Sequence, residues 1–397
     1  MVSFRHAAAN DNSGLSTLLP YWRLSGFYFA YFALLGGVAP FLALYFDHLG
    51  FSAARIGELI AIPMLMRCIA PNLWGWLGDV SGRRLLIVRL GALCTAIAFT
   101  GIFYRQDYAW LALIMAAHSF FWHAVLPQFE AITLGHLGAQ SARYSMIRLW
   151  GSVGFIATVV GLGLLLEVLG LDIYPAVMLG IMLAIFLCSM IVPQAPTPAA
   201  RPRGEPVERF MSLLRRPGVL AFFLCVALMQ LSHGPYYTFL TLHLEALGYG
   251  RGTIGLLWAL GVVAEIVLFL FMTRVLQRFS LKQLLVASLL LAALRWVLLG
   301  TLADSLMILL LIQLLHAATF GSFHVAAIHF IQHNFTERLQ GQGQALYASL
   351  SGVGGALGAL YSGYSWATLG PQWTFGLAGL AAFVAAVVLL RVLPPRS

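Results

Sequence analysis

The sequence predicts an all-α integral membrane protein: twelve transmembrane helices arranged as two pseudo-symmetric six-helix bundles. Three observations support this. First, the chain has 397 residues, of which 60% are hydrophobic and only 9% charged. A soluble protein carries about 25% charged residues, so this surface is covered by lipid rather than water. Second, the run from Phe41 to Gly57 returns from Phe239 to Gly255 at a constant offset of 198 residues. Phe41, Leu42, Leu44, Leu49, Gly50, Ile56 and Gly57 recur as Phe239, Leu240, Leu242, Leu247, Gly248, Ile254 and Gly255, and Asp47 recurs as Glu245. An internal repeat of half the chain in a very apolar sequence marks a secondary transporter. Third, apolar stretches of about 20 residues, the length that crosses a bilayer, follow one another with short joins.

In chain order the first six helices are expected at 21–45, 54–77, 85–103, 109–134, 144–166 and 174–192. The second six are expected at 219–242, 253–273, 284–302, 306–331, 342–364 and 373–393. The organisation is then a cytoplasmic segment 1–20, an N-terminal bundle 21–192, a linker 193–217, a C-terminal bundle 218–393 and a tail 394–397. The linker holds six of the sixteen prolines and five arginines, and proline prevents helix continuation. The fifth and eleventh helices carry small residues (Gly151, Ser152, Gly154, Ala157, Gly161; Ser349, Ser351, Gly354, Gly355, Gly358). Small residues allow close helix approach in lipid, and the matching positions in the two halves point to an interface that moves.

The net charge of +9 does not indicate nucleic acid. Arg83, Arg84, Arg89, Arg143, the linker arginines, Arg274, Arg278, Lys282 and Arg338 all fall on one side, whereas Arg55, Arg105 and Arg251 fall on the other. This is the positive-inside bias, which puts both termini in the cytoplasm of a bacterial inner membrane. The N-terminal segment has no cleavable signal pattern. Cys68, Cys94, Cys188 and Cys225 lie in apolar segments at unrelated spacings, so neither disulfides nor metal are expected. No nucleophile–base set stands out, so no enzyme is expected; nor is any cofactor beyond a coupling proton. A monomer is expected.

Between the second and third helices stands Gly75-Trp-Leu-Gly78-Asp79-Val-Ser-Gly82-Arg83-Arg84. Gly75 and Gly78 leave bare helix surface, Asp79 accepts hydrogen bonds from Arg83 or a helix N-terminus, and Gly82 permits a sharp turn. This loop resembles the signature of the major facilitator superfamily. The resemblance implies the twelve-helix fold, alternating access and a conformational latch formed by these residues. The equivalent loop in the second half, 274–282, has lost the glycines and the aspartate, so the latch is expected to be one-sided.

Arg67, Glu130, Arg148, Glu265 and Arg295 fall within apolar segments. A charge at the bilayer centre costs about 3 kcal/mol on insertion scales, so these groups line an aqueous lumen or pair with one another. Glu130 with Arg148, and Glu265 with Arg295, lie on consecutive helices and are expected to meet. Their sum is one net positive charge, which suits a monocarboxylate gripped by a guanidinium fork. Tyr28, Phe32, Phe155, Tyr236, Tyr237 and Phe320 suit an aryl ring. Glu265, near the midplane, is the first candidate for proton coupling, followed by Glu130, with His316, His233 and His324 as further titratable groups.

The acid–arginine arrangement resembles the lactose permease branch of proton symporters. Phe155 stands where that branch has a sugar-stacking tryptophan, and Thr319 where it has a proton-bearing acid. A resemblance covering almost the whole chain is to the 3-phenylpropionate permease family. It rests on Arg148-Leu-Trp-Gly-Ser152, His233 to Tyr237, Leu257 to Glu265, Arg295-Trp296, and His316 with Phe320 and His324. It implies proton-coupled import of an aromatic acid. Substrate contacts are then expected from Arg148, Arg295, Arg67, Phe155, His233, Tyr236, Tyr237, Phe320 and His324, and proton coupling from Glu265, Glu130 and His316. The alternatives are a nucleoside or sugar symporter, or an exporter of amphiphilic compounds.

Overall fold

The computed structural model describes residues 19–195 and 207–394. Residues 1–18, the middle of the linker (196–206) and 395–397 lie outside the described residues, so the expectations for the N-terminal segment, most of the linker and most of the tail fall there. The first half contains α1 (Tyr21–His48), α2 (Ala53–Ser81), α3 (Arg84–Phe99, extended by a 3₁₀ turn to Phe103), α4 (Tyr108–Leu137), α5 (Tyr144–Leu169) and α6 (Tyr174–Ile191). A short helix, α7 (Val207–Leu214), leads into the second half. There the seventh pass is broken into α8 (Pro217–Ser232) and α9 (Gly234–Ala246), followed by α10 (Arg251–Arg278) and α11 (Leu281–Leu302). The tenth pass is α12 (Leu306–His316), a π-helical turn (Ala317–Gly321) and α13 (Ser322–Asn334), and the chain ends in α14 (Glu337–Val392).

Among the described residues ten stretches are long and apolar enough to cross a membrane. The last of them is two passes. Gly370 has φ 81° and ψ 175°, and across it Thr374 Oγ1 donates to Ser365 Oγ at 3.0 Å. Residues nine apart on a straight helix are separated by about 13.5 Å, so α14 folds back at Gly370. The remaining pass is α2, 29 residues long, whose Arg55, Glu58, Arg67 and Asp79 dilute its hydropathy. Twelve passes result.

The repeat is visible in the backbone. Gly50 and Gly248 both adopt positive φ, 84° and 90°, a region open to glycine at little cost. In the first half Gly50 N donates to Asp47 O and Phe51 N to Phe46 O; in the second Gly248 N donates to Glu245 O and Tyr249 N to Leu244 O. The same C-terminal turn closes the first helix of each half.

The halves meet on the face that carries Arg55 and Arg251. A Cβ on Gly57 would lie 2.6 Å from Ala359 O and 2.9 Å from Gly363 Cα, and one on Gly163 would lie 2.7 Å from Arg251 O. Backbones therefore touch, as small residues permit. Arg251 Nη1 donates to Leu166 O (2.9 Å), Gly252 N to Glu167 Oε2 (2.7 Å) and Tyr364 Oη to Glu58 Oε1 (2.6 Å). The innermost of these links is Cys68 Sγ to Ser349 O at 3.3 Å. Beyond it, towards the Asp79 face, no hydrogen bond, ion pair or ring contact joins the halves among the described residues. Among the described residues the halves are joined on the Arg55/Arg251 face and not on the Asp79 face.

The small-residue stripes do not form one moving interface. Gly151 and Gly154 pack on Phe32 and Phe29 of α1, inside the first half; Gly354 and Gly358 pack on Ala227 and Leu231 of α8, inside the second. Gly161 faces open space, and Gly355 alone of these glycines reaches across, to Met64 Sδ at 3.4 Å. The close contacts between halves come instead from Gly57, Gly163, Gly255, Gly352 and Gly363.

Candidate functional site

The polar centre of the second half is built on α9, α10, α11 and the broken tenth pass. Arg295 projects from the middle of α11 and is completely buried. Its Nε donates to Ile312 O (2.9 Å), Nη1 to His316 Nδ1 (3.1 Å) and Thr319 Oγ1 (3.3 Å), and Nη2 to Gln313 Oε1 (3.4 Å). The guanidinium also lies 4.4 Å from the Tyr236 ring centroid and 4.7 Å from that of Trp296. Because a guanidinium only donates, His316 Nδ1 accepts and its ring proton sits on Nε2. Tyr236 Oη donates to Gln313 Oε1 at 2.9 Å. The π turn provides for this cluster: it widens the helix locally, a distortion common at functional sites, and turns His316 and Thr319 onto Arg295 with Phe320 stacked on His316 at 5.4 Å.

Glu265 sits at the centre of α10, 14 residues from Arg251 and 13 from Arg278. It is half-buried and packs against the π turn, where a Cβ on Gly321 would come within 2.9 Å of Glu265 Cγ. It is not in ion-pair contact with Arg295, whose donors are turned to Ile312, Gln313, His316 and Thr319. His233 occupies the break in the seventh pass. Its Nδ1 donates to Met229 O at 2.8 Å, and its buried Nε2 has no partner. Tyr237 and Phe320 contact the His233 ring at 6.0 and 5.7 Å. His324 Nδ1 pairs with Tyr347 Oη at 2.9 Å.

In the first half the expected meeting of Glu130 with Arg148 is not direct. Glu130 accepts from Tyr144 Oη at 3.1 Å. Arg148 lies over the Phe32 ring at 3.8 Å, a cation–π contact. Both groups are shallow: Arg148 is four residues into α5 and Glu130 seven from the end of α4, about 6 and 10 Å from those ends. Phe155 is buried with its backbone against Gly36 of α1, so it belongs to the α1–α5 packing. Arg67 stands apart: it is the central residue of α2, 14 from each end, and its side chain is exposed.

The loop after α2 departs from expectation in two places. Asp79 pairs with Arg84, not Arg83, and Gly75 meets nothing within 4 Å of a built Cβ. Arg84 Nη1 also donates to Gln128 Oε1 (2.7 Å), and Gln128 Nε2 donates to Trp74 O (3.1 Å). Gly78 makes room for Gln128, since a Cβ there would be 2.5 Å from its Oε1, and Gly82 takes φ 64° at the turn. The loop is thus fastened to α4 of its own half, on the face where the halves are not joined among the described residues. Gln128, Gln313 and Tyr347 were absent from the sequence reading; a lone amide or hydroxyl in an apolar helix was the available signal.

Residues 21–377 match the MFS_1 like family, and the chain belongs to it. It is a multi-pass membrane transporter of the major facilitator type, not an enzyme. It is 27% identical over 379 residues to the probable 3-phenylpropionic acid transporter of Escherichia coli (strain K12), covering 92% of this chain and 96% of that protein. It is 28% identical over 377 residues to the maltose permease of Geobacillus stearothermophilus, covering 92% of each. The crystal structure of the nucleoside transporter NupG matches with a TM-score of 0.83 at 17% identity, covering 94% of this chain and 98% of that one; at that identity the likeness is one of fold.

Proposed function

We propose that this protein is a proton-coupled symporter that imports a small organic acid, an aromatic carboxylate of the phenylpropionate type, across a bacterial inner membrane with both termini cytoplasmic. The observation that carries this reading is the charge balance of the membrane-spanning helices. Three arginines and two glutamates stand in otherwise apolar helices, a surplus of one cation that a monocarboxylate neutralises. Aromatic rings of Phe32, Tyr237 and Phe320 accompany them. The relative named for 3-phenylpropionic acid, aligned over nearly the whole chain, supports the same substrate class.

In the proposed cycle the lumen opens away from the Asp79 face, Glu265 takes a proton and the carboxylate enters. Neutralisation allows the halves to close over the substrate and reopen towards Asp79, the arrangement seen here. One monoanion moving with one proton is electroneutral, so the pH gradient and not the voltage drives uptake. The test is uptake of labelled 3-phenylpropionate into proteoliposomes. An acid-outside gradient is expected to drive accumulation that a protonophore abolishes and a potassium diffusion potential leaves unchanged. Uptake indifferent to the protonophore contradicts proton coupling. Accumulation of uridine or maltose with no uptake of the acid contradicts the substrate class.

A further inference from the structure

We infer that Arg67 is the carboxylate receptor of the lumen, and that Arg148 and Arg295 are not. This deepens the organic-acid reading and rests on it. Each of the other two arginines is already provided for. Arg295 is sealed inside the second half with hydrogen bonds to four residues, and the charge felt by Glu265 is that of Arg295. Arg148 is laid on Phe32 near one end of α5, and the charge felt by Glu130 is that of Arg148. Two acids are thereby matched to two arginines. The cation left over in that count is Arg67, which forms no ion pair with either acid among the described residues.

Its position fits the task. Arg67 adjoins Cys68, which makes the innermost hydrogen bond between the halves, so it stands at mid-depth where the halves begin to part. Among the described residues no hydrogen bond or ion pair holds its guanidinium, and its side chain is exposed. Within electrostatic reach are Tyr31 and His123 of the first half and Tyr237, His324 and Tyr347 of the second. These groups carry hydroxyl and imidazole functions and aromatic faces, and none is an acid. A monocarboxylate therefore finds at Arg67 a free planar fork, polar groups for its remaining lone pairs and ring surfaces for an aryl tail, drawn from both halves. A ligand held there touches both bundles, which couples its presence to their relative motion.

The experiment compares 3-phenylpropionate with 3-phenylpropanamide, which has nearly the same shape and no charge, by calorimetric titration of the purified full-length protein. Wild type is expected to favour the acid by about tenfold or more, the scale of a charge-assisted bidentate contact. Arg67→Gln is expected to bring the two ligands within about threefold while leaving amide binding within about threefold of wild type, a result that a misfolded variant does not give. Arg67→Lys retains an intermediate preference, and Arg148→Gln retains the full one. An acid preference that survives Arg67→Gln, or that Arg148→Gln abolishes, overturns the assignment of Arg67 while the substrate reading stands. Wild-type protein that binds uridine and ignores both aryl compounds overturns the substrate reading, and the receptor assignment with it.

Discussion

The two halves share a scaffold and differ in where they keep their charges. In the first half Glu130 and Arg148 lie near the Asp79 face, bonded to Tyr144 and resting on Phe32. The loop that fastens α2 to α3 and α4 through Asp79, Arg84 and Gln128 lies on that same face. In the second half Arg295 and Glu265 are at mid-depth, around a π turn and a broken helix. The corresponding loop keeps only a capping box at Ser280 and Lys282 bonded to carbonyls at the end of α14. Gly50 and Gly248, 198 residues apart, make identical turns, so the scaffold has been held while the polar residues diverged. On this account the first half governs opening at the Asp79 face, and the second holds the coupling chemistry at the midplane.

Removing Arg295 should have the largest effect. In Arg295→Met the amide of Gln313, the imidazole of His316 and the hydroxyl of Thr319 lose their donor inside the second half. Breaking a buried charged network costs about 3–5 kcal/mol. A collapse in the yield of monodisperse protein, or a clearly lowered melting temperature, is expected from size-exclusion and thermal assays; Arg148→Met, half-exposed and shallow, should change neither. Equal tolerance of both substitutions erases the contrast between the halves.

Gly57→Leu comes next. Its side chain would meet the backbone of Ala359 and Gly363, and overpacking of this kind costs about 1–3 kcal/mol. The cost falls only on the conformation closed at the Arg55/Arg251 face. Transport should fall about fivefold or more while ligand binding persists, because 1.4 kcal/mol is a factor of about ten. Spin labels on Glu58 and Tyr364 positions should report a shift to longer distances. Unchanged distances place the moving contact elsewhere.

Asp79→Asn is the gentler probe. It removes the charge that Arg84 binds at an exposed position, where an ion pair is worth about 0–1 kcal/mol. Transport should slow by several-fold with substrate preference unchanged. Wild-type rates deny the loop a part in the cycle, and an altered preference moves it into the binding site.

Much of the fold was legible because lipid imposes a simple rule: a helix that spans must be long and apolar, and joins between spans show as polar interruptions. The repeat around Gly50 and Gly248 was legible because positive φ confines the choice of residue. The π turn at Ala317–Gly321 was not, since it lies inside an apolar run where hydropathy has little contrast; the break at His233 went unread although Gly234 and Pro235 mark it. The depth of Arg148 was misjudged for a related reason. α5 starts at Tyr144 as expected, so Arg148 stands only four residues from its end, and a charge close to a helix end looks in sequence like one in its middle. The expected ion pairs failed because adjacency of helices does not fix side-chain direction: Arg295 turns towards the tenth pass and away from Glu265. The partner of Asp79 was misread by one residue, a shift of about 100° around the start of a helix, which moves a side chain from one neighbour to another.

The central claim is that the coupling proton resides on Glu265, and it is tested most directly by reconstituting Glu265→Gln. A permanently neutral group at this position lets the loaded carrier reorient but denies it a proton to exchange with the gradient. The variant is expected to exchange preloaded 3-phenylpropionate across the membrane at a measurable rate while failing to accumulate it under an imposed pH gradient. Accumulation at the wild-type level by Glu265→Gln contradicts the account and sends the proton to another residue.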